Sequence, residues 1–549
     1  MKKAVVAIAG CAAALGLTPA AASAAAGDLD PSFAGDGELT LADPGAASKV
    51  LVQEDGKILV VGSGNGQAND FVVVRLNPDG SRDATWGEDG KAIADFGGLE
   101  RANAAALQSD GKLVVAGETY STSAPSGTAV ARFDSRGRLD PTFDPGGADG
   151  DGKKFLSPLS GAVDDAVAVL VQPDAKIVLA GRAYGGDDYD LGVTRLTPTG
   201  AVDGTDWESG GFGASVNPYA AALTPDRKIV VAGTKHPDAS PSEIALKRFD
   251  PDGKLDKGFG GTGRVTFASN ENEEVTEVLV QPDGKVVVEG TATGDRPELV
   301  VTRFDRDGKP DSSWDGDGRA FAGFEGGSLG AAAALQPDGK VMVAGASVDG
   351  LDIAAARFNP TGTLDTSFGS GGRTTIPGGF IEIAYAVALQ GDGRIILAGQ
   401  SAAGAPVARL LGDPAQSGGG GAAPDSTAPV LTGLRLTPPR FPRGNRLPAL
   451  KGARATRRSP QIRFTLSEPA RVRFTFKRAR HGRYRPVPGS FTVNARASAS
   501  RVRFHGRLTA RRWLAPGRYR LIATPVDRAG NTGNARRAAF RLLAAKQRK

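Results

Sequence analysis

Histidine, cysteine and clustered carboxylates supply most hydrolytic and metal chemistry, and this 549-residue chain is poor in the first two. Its three histidines are His236, His481 and His505, and its one cysteine is Cys11. His236 lies in KHPDASPSE, which reads as a variable surface loop. No G-x-S-x-G elbow has a partner histidine in reach of the sequence pattern, so a serine or cysteine nucleophile finds no constellation and no catalytic residue is assigned. The Asp-rich runs FDPDG (249–253), FDRDG (304–308), WDGDG (314–318) and ADGDG (148–152) resemble pieces of calcium loops. The best-placed ligands would be Asp149, Asp151, Asp315 and Asp317. A complete loop needs further spaced ligands and a closing bidentate carboxylate, and Asp-Gly pairs already serve as turn formers. No cofactor is therefore assigned, with calcium the minor alternative. Paired carboxylates for glycoside cleavage are available in number but in no pattern.

The elements that would position any site are repeats. QEDGKILVVG (53–62) returns as QSDGKLVVAG, QPDAKIVLAG, TPDRKIVVAG, QPDGKVVVEG, QPDGKVMVAG and QGDGRIILAG, at steps of 55, 64, 52, 57, 55 and 54 residues. A regular step of this size marks a repeat architecture. In each copy an Asp-Gly pair joins two short β-branched runs, the pattern of a hairpin. The turn positions are Asp55-Gly56, Asp110-Gly111, Asp174, Asp226, Asp283-Gly284, Asp338-Gly339 and Asp392-Gly393. Ala175 and Arg227 replace Gly in two copies, which predicts strained or different turns there. A second strand in each copy ends on a shared arginine: Arg75, Arg132, Arg195, Arg248, Arg303, Arg357 and Arg409. These arginines are expected to bond between neighbouring units. A third signature, as in LDTSFGSGG (364–372), follows six of the arginines and is missing after Arg409. Its lost copy is LDPSFAGDGELTL at 29–41. The N-terminal segment should thus complete the last unit, which predicts a ring: an all-β, seven-bladed β-propeller closed by an N-terminal strand.

On these LQPDGK, VAG, RFNPDG and LDxxFG elements the chain resembles the delta-60 repeat family of bacterial proteins over residues 28–412. The resemblance implies a propeller-like domain in exported or surface proteins, and it brings no catalytic residues with it.

Residues 1–26 read as a signal peptide, with Lys2 and Lys3 before an apolar run and a small-residue cleavage site at Ala22-Ser23-Ala24. The run is too short to be a transmembrane span. Ile8-Ala9-Gly10-Cys11 resembles a lipoprotein box, but the downstream site is preferred over a lipid anchor. The mature chain then has no cysteine, and core burial must stabilise it. Residues 413–429 read as a flexible linker. Residues 430–543 carry alternating runs that predict a small immunoglobulin-like, fibronectin type III-like β-sandwich, followed by a basic tail at 544–549. In fibronectin type III-like domains, which LAPGRYRLIATPVDRAGN (514–531) resembles, the equivalent of Tyr519 forms a tyrosine corner.

Charge divides the chain. Residues 431–549 hold 31 Lys+Arg, 27 of them Arg, against Glu468 and Asp527 alone; residues 1–430 hold 36 basic and 58 acidic side chains. In RVRFTFKR and SRVRFHG the arginines alternate with apolar residues, so Arg471, Arg473, Arg501 and Arg503 face water and are the anion-binding candidates. Specific nucleic-acid recognition is not expected, since no reading helix, zinc site or stacking platform is present. The sequence is read as a secreted or cell-surface, non-enzymatic, monomeric binding or scaffold protein. Its propeller would take a partner such as another surface protein, and its basic module would hold an anionic cell-envelope polymer. The alternatives are a secreted hydrolase or lyase acting on carbohydrate in the propeller channel, and a purely structural surface protein.

Overall fold

The computed structural model describes residues 25–413 and 429–544, apart from 65–68, 121–125, 146–150, 158–162, 185–188, 205–210, 213, 238–240, 270, 295, 349–351, 378–381, 444–448, 451–459, 468–469, 481–482, 496–497, 510–511 and 527–533. Cys11 and Asp149, most of the signal and linker segments and all but the first residue of the tail lie outside the described residues. The described residues contain strands and no helix of either kind, and they divide into two compact units at Ser417/Gly418.

The first unit is built of seven antiparallel sheets, here called blades one to seven. Blade one shows the plan: Ala46–Val52, Ile58–Ser63, Phe71–Leu76 and Lys91–Ala94 pair in chain order. Its second and third strands, ILVVGS and FVVVRL, are buried almost throughout, which is why they read as continuous apolar runs. The inner strand of each blade contacts the next blade, and the inner strand of blade one contacts blade seven. Seven separate apolar clusters result, one between each neighbouring pair; the seventh joins Val50 and Val60 of blade one to Ala386, Ile396 and Val407 of blade seven.

The chain ends meet in one sheet. Glu38–Leu41 pairs antiparallel with Ala405–Leu410, Leu39 opposite Val407, and so forms the outer strand of blade seven. A backbone latch repeats round the ring. Gly87 N–H donates to Arg136 O of the next blade at 2.7 Å, Asp144, Gly260 and Asp315 donate in the same way, and Gly369 donates to Ala26 O of the N-terminal segment. Ala34, from the N-terminal segment, donates to Asp79 O of blade one at 2.8 Å. The third blade shows three strands among the described residues.

The inner hairpin turns share one geometry. Gly56 N–H donates to Gln53 O at φ 82°, and Ala175 N–H donates to Gln172 O at φ 65°. Arg227 repeats it at φ 71°. The two exceptional copies thus keep the turn and accept left-handed strain. Ala175→Gly and Arg227→Gly are each expected to stabilise the propeller by about 1 kcal/mol in urea unfolding, since a Cβ is disfavoured at positive φ. A loss of stability would show that the side chain matters more than the backbone.

In the second unit two sheets share one core. Leu431–Thr437, Gln461–Leu466, Ser498–Arg503 and Ala449–Leu450 form one sheet. Arg440–Pro442, Arg536–Leu543, Gly517–Val526, Ala470–Arg480 and Arg483–Ala495 form the other. Ile462, Phe464 and Val502 of the first meet Val472, Phe474, Phe476 and Phe540 of the second. Tyr519 is buried, and its hydroxyl donates to Ala515 O at 2.6 Å.

Candidate functional site

The two ends of the propeller strands differ in electrostatics. At the Asp-Gly turn end every blade holds one aspartate between two cations. In blade one Asp83 accepts Lys57 at 2.6 Å and Arg75 at 2.8 Å. Asp140, Asp203, Asp256, Asp311 and Asp365 repeat this with Lys112/Arg132, Lys176/Arg195, Lys228/Arg248, Lys285/Arg303 and Lys340/Arg357. Blade seven closes the series with Asp30, from the N-terminal segment, between Arg394 at 2.6 Å and Arg409 at 2.8 Å. The same guanidinium groups lie over an aromatic ring, as Arg248 over Phe259 at 4.4 Å and Arg409 over Phe33 at 4.9 Å. Arg132, Arg195, Arg248, Arg303 and Arg409 also donate to a carbonyl of the neighbouring blade, as Arg303 to Pro360 O at 2.9 Å and Arg409 to Pro78 O across the junction of the chain ends. These arginines are thus committed to holding blades together.

Of the aspartates named as calcium candidates, Asp151 and Asp317 have side-chain partners. Asp151 pairs with Lys153 at 2.9 Å, and Asp317 accepts the Arg319 amide at 2.8 Å. The Asp315 amide donates to Thr361 O at 2.8 Å as one of the backbone latches. Among the described residues the carboxylates that converge are others: Asp70, Asp95 and Glu100. His236 is a loop residue whose amide donates to Ser215 O.

The opposite end is built from positions where the copies differ. Each inner strand carries a bulge near its middle, at Ser48, Asn103, Val167, Tyr219, Thr276, Ala331 and Tyr385. A bulge re-aims the side chains around it. Asn103 of blade two donates to Asp165 Oδ1 of blade three at 2.9 Å and to Ala166 O at 3.2 Å. Asp165 opens its inner strand opposite Arg182. The Arg182 guanidinium lies 3.6 Å from Asp164 and 4.0 Å from Asp165, over the Tyr189 ring at 4.7 Å. Arg101, largely exposed, reaches Glu118 at 3.4 Å, and Tyr120 stands beside Glu118 with its ring half exposed.

Burial raises the Asp165 carboxyl, the Glu118 charge adds to this, Arg182 opposes it, and the result is a pKa of about 6. Asp165 therefore exchanges a proton near neutral pH, whereas the ion-paired Asp83, Asp140, Asp256, Asp311 and Asp365 are held below the ordinary carboxylate range despite burial, by their hydrogen bonds and cations. Further along the inner strands, Lys49 of blade one meets Glu277 of blade five at 3.0 Å. Thr276 donates to the fully buried Glu289, whose pKa burial raises well above the ordinary value. Tyr219 and Tyr385, both bulge residues, are more than a third exposed.

A family described as a domain of unknown function (DUF5122) β-propeller matches residues 53–85, 108–143, 172–205, 224–259, 281–313 and 336–368. This chain is a repeat β-propeller protein. The matched segments run from the inner turn to the LDxxFG loop, and the seventh such unit is divided between residues 390–412 and 28–37, which explains its absence from the match. No curated protein matches. Among solved structures, the propeller is similar to a protein of unknown function from Dyadobacter fermentans DSM 18053 (14% identity, 68% of this chain and 98% of that one, TM-score 0.40). It is similar also to an ulvan lyase of polysaccharide lyase family PL25 (11% identity, 71% and 95%, TM-score 0.37) and to the polysaccharide lyase Uly1 (10% identity, 67% and 90%, TM-score 0.38). The expectation of a non-enzymatic propeller is corrected by this: proteins resembling it include polysaccharide lyases.

The sequence reading missed Asp165, Asn103, Arg101, Arg182, Tyr120 and Tyr189. Their one trace was negative, since ERANAAAL and DDAVAVLV depart from the copies just before the shared apolar run. Of the anion-binding candidates, Arg473 and Arg501 are exposed and Arg503 is half-buried; the Arg471 side chain is outside the description. Among the described residues no helix is long and apolar enough to cross a membrane.

Proposed function

We propose that the propeller is a carbohydrate-active enzyme, delivered outside the cell by the leader at 1–26. It would cleave an acidic polysaccharide by elimination at the end where blades two and three meet. One observation carries the reading: a partly buried carboxyl, Asp165, titrating at about 6 and hydrogen-bonded across a blade junction by Asn103. A group with a pKa near the working pH is suited to proton transfer. Arg101 and Arg182 supply the positive charge that a uronate carboxylate needs, and neutralising that carboxylate acidifies the neighbouring C–H. Tyr120 and Tyr189 offer ring faces for the sugar. In this arrangement the Asp165 carboxylate takes the proton from the C–H beside the uronate carboxylate, a C=C bond forms as the bond from the ring to the leaving glycosidic oxygen breaks, and the protonated Asp165 returns that proton to the leaving oxygen.

The test is incubation with a panel of uronate-containing and neutral polysaccharides, following both ultraviolet absorbance of the unsaturated uronate and new reducing ends. Absorbance and reducing ends rising together are expected on a uronate polymer. Reducing ends alone would mean hydrolysis and overturn the elimination. No product from any polymer would remove the enzymatic reading.

A further inference from the structure

The second unit carries its charge in lines across the sheets. In the first sheet Arg435 is the register partner of Arg463, and Arg463 of Arg501, so three arginines stand side by side on three neighbouring strands. The residues flanking them, Leu436, Ile462, Phe464 and Val502, are in the core, which puts the row on the outer face. The second sheet repeats the device: Arg440 pairs with Arg541, and Arg541 with Arg518, again with Phe441, Phe540, Leu542 and Tyr519 turned inward. Arg435, Arg501, Arg440, Arg541 and Arg518 are exposed, and Arg463 in the middle of its row is half-buried.

Like charges directly opposite on neighbouring strands oppose folding. Neither row contains a carboxylate, and residues 431–549 have only Glu468 and Asp527 to offer. Counting charge alone would place arginines anywhere on the surface, whereas the register stacks them three across, one row per sheet. An occupant with anionic groups in a line offsets that repulsion. Adjacent strands lie about 4.8 Å apart, so the rows match a polymer with one anionic group per about 5 Å. A chain of acidic sugars has that spacing, because one six-membered ring separates successive carboxylates. A strand of a DNA duplex carries one charge per about 3.4 Å of axis, a poorer match to the rows.

We infer that each arginine row of the second unit is a binding line for a linear acidic polysaccharide, with the strands crossing beneath the polymer and one guanidinium per sugar carboxylate. The inference uses no residue of the propeller, so its failure and that of the proposed enzyme are separate results.

The experiment uses the full chain and polygalacturonate as the probe, with affinity measured by calorimetry at physiological salt. Three variants are compared with the parent: Arg435→Gln/Arg463→Gln/Arg501→Gln, Arg440→Gln/Arg518→Gln/Arg541→Gln, and a control of equal charge loss at exposed sites off both rows, Arg443→Gln/Arg485→Gln/Arg537→Gln. Each row variant is expected to lose at least about tenfold in affinity, about 1.4 kcal/mol, and the control less than about threefold. The row variants should melt no lower than the parent, since they relieve repulsion. Equal losses in all three variants would reduce the effect to net charge and overturn the inference. So would no binding by the parent, or displacement of polygalacturonate by polyphosphate or single-stranded DNA at lower concentration than by a second polyuronate.

Discussion

Asp30→Ala is expected to lower the stability of the propeller by about 3–5 kcal/mol, the cost of removing one partner from a buried charged group. Asp30 is almost fully buried, and Arg409 beside it is 4% exposed. Without the carboxylate, the Arg409 guanidinium remains packed on Phe33 and bound to Pro78 O with its charge uncompensated. The loss should appear as a lower urea midpoint. It should also appear as faster hydrogen exchange at the Leu39 and Leu41 amides, because the segment that Asp30 anchors is the outer strand of blade seven. A loss below about 1 kcal/mol would show that the N-terminal segment is not held by this ion cluster.

The same chemistry sets the acid response. Burial pushes the Asp30 carboxyl up, but the Ser32 hydroxyl and amide together with Arg409 and Arg394 outweigh it, and the folded pKa lies below the ordinary value. Asp140, which accepts from Thr142 and Lys112 and lies beside Arg132, falls to about 2. A group lowered on folding contributes stability that is present above its unfolded pKa, near 4, and is lost as pH falls through the folded value. The turn end should therefore hold until well below pH 4.

Asp165→Asn is the second large effect. If Asp165 transfers the proton, turnover should fall by about 10²–10⁴-fold with little change in KM. The limb of the pH profile near 6 should disappear with it. Stability should move the other way. The folded pKa of about 6 exceeds the ordinary 3.8, so the ionised form is disfavoured by folding, and stability falls as pH rises through that interval. The interval corresponds to roughly 3 kcal/mol at most, at 1.36 kcal/mol per unit. Asparagine keeps the shape, escapes that penalty, and should melt higher than the parent at pH 7.5 but not at pH 4. A variant that loses turnover and also melts lower at pH 7.5 would make Asp165 a structural residue.

The turn end was legible in the sequence because it repeats. Each Arg75-type residue recurs at one spacing from its aspartate, and one set of contacts satisfies every blade. The displaced LDPSF segment gave away the pairing of the chain ends for the same reason. The opposite end was not legible, because it is made where the copies disagree. Nothing in the local sequence tells that Asn103 reaches Asp165, 62 residues on, since the inner-strand bulges and the angle between blades bring them together. The contacts of the Asp-Gly runs were not legible either: that Asp151 pairs with Lys153 and Asp317 accepts the Arg319 amide is set by how each turn folds back. In the second unit alternation was visible, but register was not, and register is what lines up Arg435, Arg463 and Arg501.

The pairing of the two chain ends is tested most directly by Leu39→Cys/Val407→Cys in a Cys11→Ser background. These positions face one another in the antiparallel ladder, within the Cα separation that a disulfide tolerates. The account predicts a monomer that closes this disulfide on mild oxidation without losing its fold. Thiols that stay free, or that link only between molecules, would contradict it.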